Sequence, residues 1–147
     1  MERIQGEPAV ILAGRPYTTC AMEVNLALPR KITSRGYHVI PADLFSFEEG
    51  RQSSRNVWHY TQQISGALEK AKADPDLYMC LLSCFSCGPD ATMYHAFRQE
   101  LAGETFCYLE IDSHTAHAGF ETRVGAFLDI VERRRKTEKK RPEGKHD

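Results

Sequence analysis

The sequence predicts an α/β domain built on an open, all-parallel sheet of four strands with helices on both faces. Four short strand-like runs recur along the chain, and the third of them, Leu77 to Ser83, is apolar throughout, as a strand covered on both faces is. Each is followed by a segment whose apolar residues recur at helical spacing, and the connections are short, which selects parallel strands joined by right-handed crossovers.

The first strand is Pro8-Ala9-Val10-Ile11-Leu12-Ala13, ending at Gly14. The segment after it contains Pro29, which fits a first helical turn better than a helix interior, so the first helix either kinks or starts near Leu28. It stops at Gly36, a suitable residue just past a helix end, before the strand Tyr37-His38-Val39-Ile40. A polar loop from Phe47 to Ser54 precedes a second amphipathic helix carrying Val57, Tyr60, Ile64, Leu68 and Ala71, closed by Asp74-Pro75. The third strand, Leu77 to Ser83, leads through Cys84-Phe85-Ser86-Cys87-Gly88-Pro89-Asp90 into a helix marked by Met93, Phe97 and Leu101 and closed by Gly103. The fourth strand is Thr105 to Ile111, and Val124, Phe127, Leu128 and Val131 mark the last helix. The expected order is flavodoxin-like, 2-1-3-4, with a domain over 1–135 and a charged tail over 136–147.

Composition bounds the partners. The 147 residues suit one domain, large enough to bury about two thirds of its unfolded surface without disulfides. Nineteen Lys and Arg against twenty Asp and Glu leave no basic excess for nucleic acid. The apolar runs fall far short of the ~18 residues that cross a bilayer. With no signal-like opening, the five cysteines read as reduced thiols of a cytoplasmic protein.

In parallel sheets of this kind ligands bind beyond the carboxyl ends of the strands, where the strand order reverses, here between strands 1 and 3. Each unusual polar cluster follows a strand: Gly14 to Cys20, Ala42-Asp43, Cys87 to Asp90, and Asp112 to Thr115. Arg15, Cys87 and His114 are therefore expected on one edge. Asp90 caps the helix that follows, and the N–H groups opening that helix lower the pKa of a nearby thiol, making Cys87 a plausible metal ligand. Arg15 either binds an anion or pairs with Asp43 or Asp112. Asp112, His114 and His117 form either a partial metal site or ordinary loop hydrogen bonding. Cys20, near a helix start, is a ligand or a packed small side chain, Cys107 faces the core, and the charged run Arg133–Arg141 is a solvated helix end.

Cys80-x3-Cys84-x2-Cys87 repeats the spacing of radical enzymes that bind S-adenosylmethionine on an iron-sulfur cluster, but Cys80 falls inside the apolar strand rather than in a loop. No Gly-x-x-x-x-Gly-Lys-Ser/Thr, Gly-x-Gly-x-x-Gly or Gly-x-Ser-x-Gly motif is present, which leaves phosphate-loop, dinucleotide and serine-hydrolase chemistry without support.

Taken in order, Gly14-Arg15-Pro16-Tyr17, Asn25, Gly36, Asn56, Trp58, Phe85-Ser86-Cys87-Gly88-Pro89-Asp90, Ile111-Asp112-Ser113-His114-Thr115, Thr122-Arg123 and Ala126-Phe127-Leu128-Asp129 span nearly the whole chain. So ordered, the chain resembles the C-terminal part of the large acyl-CoA dehydratase activase-related proteins of the 2-hydroxyglutaryl-CoA dehydratase system. Gly125 stands where that family usually has an acidic residue. The resemblance implies a piece of a larger, oxygen-sensitive protein, not catalytic alone, working beside an ATPase or dehydratase partner and other domains on a 2-hydroxyacyl-CoA. It implies Cys87 as a thiolate ligand of a [4Fe–4S] cluster in the full protein or assembly, with none expected in this chain by itself. Cys84 and Cys20, local additions to the family pattern, are further metal candidates. Arg15, Tyr17, Asp90, His114 and Arg123 become cofactor-facing candidates. The other class left open is a non-catalytic docking module.

Overall fold

A computed structural model describes residues 6–45, 59–84, 88–112 and 117–140. Its elements are β1 (Ala9–Gly14), α1 (Pro16–Thr19), α2 (Leu28–Thr33), β2 (His38–Pro41), a 3-10 turn (Ala42–Leu44), α3 (His59–Ala73), β3 (Leu77–Cys84), α4 (Gly88–Glu100), β4 (Phe106–Ile111) and α5 (His117–Lys140). The sheet has the order β2-β1-β3-β4, and every neighbouring pair is parallel.

The continuous apolar runs are explained by cover on both faces. Val10 and Leu12 of β1, Tyr78, Cys80 and Leu82 of β3, and Cys107, Leu109 and Ile111 of β4 pack with Leu28 and Ile32 of α2 and with Phe120, Val124, Phe127, Leu128 and Val131 of α5. The alternate residues, Ile11, Ala13, Met79 and Leu81, pack with Ile64, Ala67 and Leu68 of α3 and Phe97 of α4. β1 and β3 are central, with almost every residue buried, because both neighbours and both helical layers shield them.

The first helical segment is split rather than kinked. Pro16 opens the four-residue α1, a turn follows, and α2 starts at Leu28 with Pro29 in its first turn, where its missing N–H has no partner to lose. Gly36 has φ +82° and terminates that unit, as the sequence predicts. α4 begins at Gly88, so Asp90 is its third residue rather than the residue before it; Gly88 and Pro89 take the opening positions.

α5 runs past Arg135 to Lys140. At 1.5 Å per residue its 24 residues span about 36 Å, whereas six-residue β4 spans about 20 Å, so the helix overshoots the sheet. The overshoot is used. Arg135 donates to Asp76 at 3.2 Å and to the Gly6 carbonyl at 3.2 Å, and Arg134 pairs with Glu104 at 2.6 Å. This part of the basic run is a clamp at the amino end of the sheet and not merely a solvated end. On the same face Lys31 of α2 and Arg35 just after it pair with Glu121 and Asp129 of α5. No helix among the described residues is long and apolar enough to cross a membrane.

Candidate functional site at the carboxyl edge of the sheet

β1 delivers its chain end to the crevice through a close approach. Gly14 lies beside Leu82 in register, and a Cβ built on it would stand 2.5 Å from the Leu82 carbonyl oxygen and 3.1 Å from Thr19 Cγ2. Only glycine lets β1 lie this near β3 as it turns. Arg15 then adopts extended geometry (φ −79°, ψ 147°), and its carbonyl gathers four donors: the N–H groups of Thr18 and Thr19 at 2.8 and 3.0 Å and their hydroxyls at 2.7 and 3.2 Å. The turn after β1 is thereby rigid, and Arg15 itself is half-buried and engaged by an interaction.

The next turn rests on Asn25, fully buried, whose Nδ2 donates to the Thr19 carbonyl at 2.8 Å. Its Oδ1 is buried without a hydrogen-bond partner among the described residues. Leu26 and Ala27 follow with φ of +52° and +55°. Left-handed backbone at two successive non-glycine residues costs roughly 1–2 kcal/mol at each. Nothing in the sequence shows this strain, since neither residue type favours it.

Of the candidates, Arg15, Tyr17 and Cys20 lie together in the segment after β1, Tyr17 and Cys20 being exposed. Cys84 ends β3 two residues past Leu82, the partner of Gly14, and is partly buried, so it belongs to the same edge. Asp43, from the turn after β2, joins Gly14, Pro16 and Thr19 around a small cleft there. Asp112 leaves β4 exposed. Arg123 is placed differently: it stands on α5 beside Cys107 and Tyr108, in a groove along the outer edge of β4. Cys87 and His114 lie outside the described residues, as do Asn56, Trp58, Val57 and the polar loop before α3. The expected meeting of Arg15, Cys87 and His114 is therefore described only at Arg15.

Cys80 is 1% exposed inside β3, and Cys84 lies four residues further along the same strand. Four residues of strand separate them by about 13 Å, too far for two ligands of one cluster. That geometry sets aside the three-cysteine spacing. Cys107 is in the core, as its alternation with Leu109 and Ile111 predicts. Among the described residues no group of three or more His, Cys, Asp or Glu side chains is placed to hold a metal ion. The described donors do not by themselves fit a [4Fe–4S] cluster, which takes about four.

The edge has a further property that the sequence reading missed. Five large apolar side chains are exposed among the described residues, and four of them, Tyr17, Met22, Val24 and Leu44, sit in the segments that follow β1 and β2. The signal was available in Met22 and Val24, which flank Glu23 in the segment between the first strand and the helix that starts at Leu28. Comparison with protein-family models, with curated proteins and with solved structures found no match.

Proposed function

We propose that this domain is a component of a 2-hydroxyacyl-CoA dehydration system, of the activator or dehydratase-like kind, and that its carboxyl edge is an assembly face. Across that face a partner domain completes a [4Fe–4S] site to which this chain contributes Cys87. The observation that carries the assembly face is the exposure of Tyr17, Met22, Val24 and Leu44, all in the segments that follow β1 and β2. Water-facing apolar side chains gathered at the ligand edge of a parallel sheet suit a surface covered by protein. The cluster itself rests on the resemblance in Gly14-Arg15-Pro16-Tyr17 and Phe85 to Asp90, and on the chain order that puts Cys87 three residues after Cys84. The dispersed thiols of the described residues favour a shared site over one held by this chain alone.

The cluster, when bound, would supply single-electron transfer; the chain's own contribution is a thiolate, a rigid turn bearing Arg15, and these exposed apolar side chains. The same side chains would serve a docking module without any cluster. Iron and sulfide content of the larger protein, isolated without oxygen and compared with Cys87→Ala, separates the two. Loss of iron and sulfide in the variant is the expected result, and equal content in both, or none in either, would leave only the docking reading.

A further inference from the structure

Two cysteines outside the carboxyl edge form an arrangement that the assembly role does not use. Cys80 of β3 and Cys107 of β4 are register partners in the parallel ladder, and both side chains belong to the core layer under α5. Neighbouring strands run about 4.8 Å apart, within the roughly 4.4–6.8 Å between Cα atoms that a disulfide spans. The two thiols share a hydrogen bond, and that bond, followed by burial, pushes the Cys80 thiol well above its ordinary value. Cys80 is sealed at 1% exposure. Cys107 is not sealed in the same way: at 6% exposure it lines a groove of about 420 Å³ between the outer edge of β4 and α5, with Arg123, Phe127 and Ile130.

We propose that Cys107 and Cys80 are a peroxide-reactive dithiol, reached through this groove, that closes to a disulfide between β3 and β4. A small neutral oxidant such as hydrogen peroxide fits the opening and meets Cys107 first. The Cys107 sulfur attacks one peroxide oxygen, the O–O bond breaks, and the departing hydroxide takes the thiol proton as water, leaving Cys107 as a sulfenic acid. Cys80, already in contact, then attacks the Cys107 sulfur; the S–O bond breaks and the hydroxyl leaves with the Cys80 proton as a second water. Two thiols and one peroxide thus become one disulfide and two waters. The order of events follows from access, since the sealed Cys80 can act only as the resolving thiol. Exposed Cys20 lies in the segment after β1, where this groove does not reach.

The test treats the folded chain with hydrogen peroxide, blocks remaining thiols with N-ethylmaleimide, and maps the products by mass spectrometry, with a cleavage between Cys80 and Cys84 to assign the sulfur. The expected result is a Cys80–Cys107 cross-link formed while circular dichroism stays native. Dimedone should trap a Cys107 sulfenic acid in Cys80→Ala, and Cys107→Ala should leave Cys80 unoxidised. Oxidation confined to other thiols, with Cys80 and Cys107 recovered in reduced form, would overturn the proposal. The mapping of the unaltered chain decides this even if a variant does not fold.

Discussion

Gly14 and Tyr37 are single residues whose surroundings decide what substitution does. An alanine at Gly14 drives its Cβ into the Leu82 carbonyl, a backbone atom of a central strand that cannot move aside. We expect Gly14→Ala to destabilise the fold by about 2 kcal/mol, within the usual range for overpacking, read as a lower urea midpoint at unchanged slope. Tyr37 is buried, and that burial, with Glu132 nearby, raises its phenol above the ordinary 10.0. A raised folded-state pKa means that the unfolded chain ionises first. Its contribution is therefore complete below about pH 10 and is lost as pH rises through the folded value. Cys80 acts with the same sign. Thermal melts between pH 8 and 11 should show an alkaline decline that is shallower in Tyr37→Phe, and an identical decline would contradict the assignment. At this scale the sequence was only partly legible. Gly14 and Gly36 announce tight turns by residue type, but the strained Leu26-Ala27 pair and the buried Asn25 do not, because nothing in their residue types favours that conformation or that burial.

The elements were more legible, because periodicity reports burial directly. Two-sided burial makes β1 and β3 continuous apolar runs, and one-sided burial spaces Val124, Phe127, Leu128 and Val131 along α5. Ends were read less well. Nothing in the charged stretch after Val131 shows that α5 continues to Lys140, since the partners that hold it, Asp76, Glu104 and Gly6, are distant in sequence. The clamp predicts a gradient along the helix. Arg135→Gln removes a partly buried pair and a carbonyl contact and should cost about 1 kcal/mol, whereas Lys136→Gln, which loses an exposed pair with Glu132, should leave the stability nearly unchanged. Equal effects of the two changes in chemical denaturation would argue that α5 is held by its apolar face alone.

For the whole molecule, the order β2-β1-β3-β4 was legible because four strand-helix units with short connections leave few topologies. The order in turn places the strand ends on one edge. Which residues meet there is less legible: Arg123, near in sequence to the end of β4, is carried by α5 to its outer edge instead. If the carboxyl edge is an assembly face, Met22→Asp with Leu44→Asp should weaken association with the partner domain by more than tenfold, measured by calorimetry. The fold should barely change, since both side chains already face water. On the proposed reading the carboxyl edge is completed by a partner. Anaerobic reconstitution of the 147-residue chain with iron and sulfide, followed by absorption spectroscopy and iron counting, tests it most directly. The expected result is no stable cluster on the chain alone, with one formed when the partner domains are present and lost in Cys87→Ala. A stable brown product near four irons per isolated chain, abolished by Cys87→Ala and by Cys20→Ala, would contradict it.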